Sequence, residues 1–171
     1  MTDLIPAWID GELVPVEKLR VHREGLRHKA VSVFVNAGGE TLIQKRAAAK
    51  YHTPGLWANA CCTHPHWRET PDACARRRLR EELGLSTDAP FVHRGQVTYR
   101  ADVGQGLTEH ESVEIYTVDL PRKVTPHPDP AEVGDTRWMG WDALEREIAA
   151  RPDAFTPWLR IYLADHRALV T

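Results

Sequence analysis

Apolar and polar positions change period several times along this chain, and each change marks an element. Val31-Ser-Val-Phe-Val-Asn36 is a run of β-branched and aromatic residues and predicts a buried strand. Ala37 to Glu40 carries two glycines and predicts a turn, with Thr41 to Arg46 returning as the hairpin partner. Tyr51 to Glu69 shows no period, holds Pro54-Gly55 and Pro65, and reads as an irregular segment. Thr70-Pro71-Asp72 predicts a helix start, with a capping hydroxyl, proline at the first helical position and an acid in the first turn. Ala75, Leu79 and Leu83 then recur every four residues on one face until Gly84 stops the helix. Gln96–Ala101 and Glu109–Leu120 read as strands on either side of a Gly104-Gln105-Gly106 loop. Arg137–Trp141 predicts a short strand leading into a helix from Asp142 to Ala150. A last helix opens at Thr156-Pro157 and carries Trp158, Ile161, Tyr162 and Leu169. Strands and helices alternate without a regular βαβ rhythm, so the expected class is α/β (α+β), with a mixed sheet layered against helices in one domain over 1–171.

Composition narrows the function. A net charge of -2 over 171 residues gives no global attraction to nucleic acid or to an anionic membrane. An anionic ligand must therefore be held by a local basic patch. The N-terminus lacks the basic start and apolar core of a signal peptide, and no apolar run is long enough to span a bilayer. Three cysteines, two of them adjacent, make a poor disulfide framework and fit reduced thiols in the cytoplasm. Two fragments carry the chemistry. Cys62-Thr63-His64 places a thiol and an imidazole two positions apart. Glu109-His110-Glu111, if extended, points two carboxylates to one face and His110 to the other. A proton-donating thiol beside a hard-metal site suggests proton transfer assisted by a metal, rather than simple hydrolysis.

Glu69…Arg77-Arg78-Leu79-Arg80-Glu81-Glu82-Leu83-Gly84-Leu85 resembles the Nudix box, a loop-helix-loop whose glutamates hold magnesium against a diphosphate. Two positions depart from it: Thr63 stands for the leading glycine, and Arg78 for the glutamate after the arginine. The plain alternative is a solvated helix with Arg77–Glu81 and Arg78–Glu82 pairs. Further motifs extend the likeness over nearly the whole chain: Glu17-Lys18, His22…His28, Lys45-Arg46-Ala47, Pro54-Gly55-Leu56-Trp57, Asn59-Ala60-Cys61-Cys62-Thr63-His64-Pro65, Tyr99-Arg100-Ala101, Glu109-His110-Glu111 and Phe155-Thr156-Pro157-Trp158. With these the chain resembles the type 1 isopentenyl-diphosphate isomerases, a branch of the Nudix superfamily. The resemblance implies a Nudix-like mixed β-sheet sandwiched between helices, with 1–29 as an extension carrying metal-site histidines and 30–171 as the core.

It also implies roles. The family moves the double bond of isopentenyl diphosphate to give dimethylallyl diphosphate. That requires an acid and a base on opposite faces of a three-carbon unit in a dry pocket. Cys62 and Glu111 match that pair, Tyr99 matches the tyrosine that serves the carboxylate, and Trp158 matches the indole facing the hydrocarbon tail. Lys18, Arg46 and Lys50 match the diphosphate-binding cations, with Mg²⁺ carried partly by Glu82. His22, His28, His64, Glu109 and Glu111 match a metal set whose nitrogen donors favour Mn²⁺ or Zn²⁺. The His22–His28 spacing is a little shorter than the family's. His52, His66, His93, His110, His127 and His166 read as loop or surface histidines, Cys61 and Cys74 as small buried residues, Trp57 and Trp138 as core, and Arg76 to Arg80 as a solvated helix face. The expected partner is the small-molecule substrate alone, with no nucleic acid or membrane, in a monomer or weak homodimer. A Nudix hydrolase of a nucleoside diphosphate derivative and a catalytically silent binding module are the competing readings.

Overall fold

One strand organises the molecule. In the computed structural model, which describes residues 3–171, β3 (His28–Ala37) runs through the centre of a nine-stranded mixed sheet. Along one edge it pairs in parallel with β8 (Thr108–Asp119), from His28↔Glu111 to Asn36↔Asp119. Its other edge is shared by three shorter antiparallel partners. β1 (Leu4–Ile9) meets it at His28, β6 (Cys61–Thr63) along Val31–Val33, and β4 (Glu40–Arg46) at its end. β2 (Glu12–Glu17) pairs β1, β5 (Trp57–Asn59) and β9 (Val133–Gly140) flank β4, and β7 (Val92–Asp102) closes the β8 side.

Strand alternation sorts the two faces. Val31, Val33 and Val35 of β3, with Tyr116 and Val118 of β8, pack under α2 (Pro71–Leu83) against Cys74, Ala75, Leu79 and Leu83. Ala30 and Phe34, with Val113 and Ile115, pack under α3 (Trp141–Ala150) and α4 (Pro157–Asp165) against Leu144, Trp158, Leu159 and Tyr162. Covering both faces explains why β3 is a continuous apolar run rather than an alternating one. A third cluster, of Ile5, Ala7, Val16 and Val21, seats the β1–β2 hairpin on α1 (Lys18–Glu24). Glu17 caps α1 by accepting from the N–H groups of Leu19 and Arg20 at 3.0 and 2.8 Å, and Gly25 ends it with φ 62°.

The expected architecture of a mixed sheet between helices is the one observed, and three details differ from the sequence reading. The segment read as irregular contains β5 and β6. Each has three residues, too few for a period, and they are fixed by Asn59, whose amide donates to Ser32 Oγ, Val33 O and Cys61 O. The last helix is two: His166 leaves helical dihedrals (φ -135°, ψ 24°), and α5 (Arg167–Val170) carries Leu169 back toward Gly95 of β7. Arg94 holds that turn by donating to Ala168 O and Thr171 O, each at 3.2 Å. Trp57 and Trp138 are only partly buried and pack at the margins of the cores, because each has a second task. The Arg137 guanidinium lies 4.2 Å over the Trp57 ring, and Trp138 Nε1 donates to Val124 O.

Candidate active site and metal centre

The face of the sheet under α4 continues past the apolar core into a polar patch. On β3 the residues sharing the side of Ala30 and Phe34 are His28 and Ser32. Directly paired residues point the same way. Register therefore places Glu111 beside His28, Tyr99 beside Glu111, and Cys62 beside Ser32 on that one side. Cys61, one position earlier, turns to the α2 side, where its thiol lies 3.5 Å from Glu82 Oε1. His110 likewise turns away from the two glutamates, and its Nδ1 lies 3.3 Å from Gly25 O.

Three imidazoles converge on the two carboxylates, and their outer nitrogens fix how they are presented. His22 Nδ1 is 2.6 Å from Lys18 O and His28 Nδ1 is 2.8 Å from Leu26 O. A carbonyl can only accept, so Nδ1 carries a proton in both rings, and either ring, when neutral, aims a lone pair inward from Nε2. His22 Nε2 lies 3.1 Å from Glu109 Oε2, yet neither atom has a hydrogen bond of acceptable geometry, and both are fully buried. His28 Nε2 lies 3.3 Å from the same oxygen and 3.2 Å from His64 Nε2, which in turn is 2.9 Å from Glu111 Oε1. One donor atom from each of His22, His28, His64 and Glu109 falls within 4.8 Å of the others. Where these rings are neutral, lone pairs face carboxylate oxygens in a buried space, and the repulsion is relieved only by a proton or a cation among them.

The electrostatics agree. Burial opposes charge on His28 most strongly, but contacts with Glu109 and Glu111 outweigh it and push its pKa up to about 10. Burial and the neighbouring His28 hold His64 well below the usual imidazole range. Glu109 is held well below the usual carboxylate range despite its burial, because His22, His28 and His52 face it. Burial, and then the charge of Glu109, push Glu111 up to about 7. Two buried carboxylates share the patch, and it attracts a proton where no metal stands. A three-histidine, two-carboxylate donor set, with the outer nitrogens of His22 and His28 tied to backbone carbonyls, fits a divalent cation.

Beside it opens a cleft of about 410 Å³, part of it solvent, lined by Cys62, His64, Glu109, Glu111 and Trp158 and by the cations Lys18, Arg46, Lys50 and Arg78. Tyr99 OH donates to Glu111 Oε2 at 2.6 Å, so that carboxylate is held by a phenol on one oxygen and faces His64 on the other. Burial and the charge of Glu111 push the Cys62 thiol well above its ordinary value, so it stays protonated at neutral pH. Trp158 is buried, its Nε1 has no hydrogen-bond partner among the described residues, and the Arg46 guanidinium stands 5.4 Å from its ring.

The sequence-selected residues line this cleft or the adjoining cluster, except Tyr99, which reaches it through Glu111. Two assignments are corrected. Arg78 does not lie on a solvated helix face; it points into the cleft and donates to Glu82 Oε1 at 2.7 Å. Gln44 holds the other Glu82 oxygen at 2.9 Å, so Glu82 is paired within the protein. His52 is not a solvated loop residue either: it is buried, with Nε2 3.1 Å from Glu109 Oε1. No pattern in Lys50-Tyr51-His52-Thr53 could have announced this, since a loop residue has no period to betray the side it faces.

Known proteins add their own observations. A NUDIX domain model matches residues 26–159. A Cereibacter sphaeroides protein named isopentenyl-diphosphate Delta-isomerase is 60% identical over 166 residues, covering 97% of this chain and 93% of that protein. A Rhodobacter capsulatus protein of the same name is 55% identical, covering 98% and 95%. Among solved structures, DR0079 from Deinococcus radiodurans superposes with a TM-score of 0.75 at 18% identity, covering 94% of this chain and 96% of that one. A MutT NUDIX hydrolase from Burkholderia pseudomallei gives 0.63 at 20% identity, covering 82% and 98%. At such identities the superpositions speak for the fold alone. Identity above one half over nearly the full length of both chains speaks for more, and this chain belongs to the isopentenyl-diphosphate Delta-isomerase family within the NUDIX fold.

Proposed function

We propose that this protein interconverts isopentenyl and dimethylallyl diphosphate by adding a proton to one end of a three-carbon unit and removing one from the other. The observation that carries this is the placement of Cys62 and Glu111 along a single cleft, with an indole wall and four cations beside them. The Cys62 thiol, protonated at neutral pH, and Glu111, poised near neutrality, form an acid–base pair matched to proton transfer at carbon. Tyr99 holds Glu111 in one rotamer and supplies a hydrogen bond that can follow the proton. Trp158 offers its ring face to positive charge developing on the tertiary carbon, an interaction worth roughly 0.5–2 kcal/mol. Lys18, Arg46 and Lys50 hold the diphosphate. Arg46 does so as a planar fork, while Lys50 also pairs with Glu132 at 2.5 Å.

His22, His28, His64 and Glu109, completed by Glu111, are the residues that would hold Mn²⁺ or Zn²⁺, and a cation there would fix Glu111 and lower its proton affinity. Mg²⁺ would enter with the diphosphate near Glu82. We read 1–29 as an extension supplying the metal-site histidines His22 and His28, and 30–171 as the core. The three unpaired thiols support a reducing cytoplasmic setting.

Hydrolysis is the weaker reading. The position after Arg77 holds Arg78, a cation paired with Glu82 rather than a further helix carboxylate, and hydrolysis has no use for the Cys62 and Glu111 pair. Incubation with isopentenyl diphosphate and Mg²⁺ in D₂O decides the matter. Deuterated dimethylallyl diphosphate is expected; released phosphate, or no deuterium in the product pool, would overturn the proposal.

A further inference from the structure

His52 differs from the three histidines that surround Glu109. His22 and His28 hand their Nδ1 protons to backbone carbonyls and turn lone pairs inward. The Nδ1 of His52 instead lies 3.2 Å from Thr53 Oγ, a hydroxyl that can donate, and its Nε2 lies 3.1 Å from Glu109 Oε1. A carboxylate oxygen only accepts, so this 3.1 Å contact is attractive only with the His52 proton on Nε2. The two oxygens of Glu109 thus face different rings: Oε1 faces His52 at 3.1 Å, and Oε2 faces His22 and His28 at 3.1 and 3.3 Å.

The ring is fixed on other sides as well. It stacks on His22 at 5.6 Å with 28° between planes, and meets Tyr51 and Trp158 edge-on at 4.4 and 6.1 Å. The His52 carbonyl accepts from Arg46 Nη2 at 3.2 Å. One residue thus touches the metal-facing carboxylate, the indole wall and the arm of a diphosphate-binding arginine. Thr53 follows with φ 46°, a backbone turn that brings the ring inward and its hydroxyl under it.

We propose that His52 is a positioning residue that holds Glu109 as a one-oxygen ligand, with Oε2 directed into the cluster, and that metal affinity depends on its Nε2–H. This rests on the metal centre proposed above and adds to it a residue that is not itself a ligand. Removing an outer partner of this kind typically costs 10–100-fold in metal affinity.

The test measures binding of Zn²⁺ and of Mn²⁺ to the full chain, by competition with a chromogenic chelator, without substrate. Wild type, His52→Ala and His52→Gln are compared, with thermal melting of each metal-free protein as the fold control. Expected are one site per chain in all three, at least tenfold weaker binding in His52→Ala, and recovery to within about threefold of wild type in His52→Gln, whose amide can still donate. Affinity within twofold of wild type in His52→Ala overturns the inference and leaves the metal centre standing, as does an equal loss in both variants, which would mark packing as the whole role. Absence of binding by the wild type would overturn both.

Discussion

Cys61 and Cys62 are neighbours in sequence and occupy opposite faces of the same sheet, and the carboxylates they meet are neutralised in different ways. On the α2 face, Glu82 has a guanidinium on one oxygen and a carboxamide on the other. It is buried but complete, with protein groups matching its charge. On the α4 face, Glu109 and Glu111 are just as buried, and Glu109 faces His22 and His28, whose inward atoms are lone pairs when the rings are neutral. The first arrangement is finished by the fold; the second asks for something from outside, a metal or a proton. A buried carboxylate is therefore no guide to function until the charge of its neighbours is known.

The comparison breaks most sharply at the paired proton carriers. Cys62→Ala and Glu111→Gln are each expected to lower turnover by 10²-fold or more, in the range of about 10²–10⁴ for removing a positioned acid or base. Circular dichroism and melting should remain close to wild type, since Cys62 is only half-buried and glutamine keeps the shape at position 111. Glu82→Gln, on the finished side, should mainly raise KM for the diphosphate. Near-wild-type turnover in either Cys62→Ala or Glu111→Gln would remove that residue from its role.

Metal removal comes next. Prolonged dialysis against a strong chelator should abolish turnover measured with Mg²⁺ alone, and added Mn²⁺ or Zn²⁺ should restore it. His64→Ala should weaken metal binding by more than the roughly 10–100-fold that an outer partner costs. Full activity in a chelated sample shown by elemental analysis to hold no transition metal would sink the assignment of the histidine cluster.

The α2 side is sharpened by Arg78→Ala, which leaves Glu82 with its charge and one partner fewer. Losing hydrogen bonds to a charged group costs about 1.5–3 kcal/mol, and Arg78 keeps some exposure, so the low end applies. Urea unfolding should show that loss, and Arg78→Ala with Glu82→Gln should recover part of it. A double variant no better than the single would mean that the pair does little for stability.

How much of this could be read from the chain follows the same divide between periodic and aperiodic segments. β3, β8 and α2 announce themselves through period and caps, and the pairing of Glu109 with Glu111 on one side needed only strand alternation. Register then brought His28, Tyr99 and Cys62 to that side, which no single segment reveals. β5, β6 and the inward turn of His52 stayed hidden because three-residue strands and loop rings are set by tertiary contacts: the Asn59 amide and the turn at Thr53. Arg78 was misread for a related reason. A charged residue on a helix looks solvated until the strand below it supplies a buried acid or a cleft.

The smallest expected effect tests whether the two cysteines differ as much as their surroundings. Cys61 is fully buried between the sheet and α2, and burial, with the charge of Glu82 next, pushes its thiol well above the ordinary range. It is inert packing with a weak contact to Glu82. Cys61→Ala should lose about 1 kcal/mol of unfolding free energy, the size of a typical core truncation of one heavy atom. Its kcat should stay within about threefold of wild type, against the loss of 10²-fold or more expected one residue later. A fall in kcat comparable to that of Cys62→Ala, with stability unchanged, would show that the sheet does not keep its two faces chemically apart.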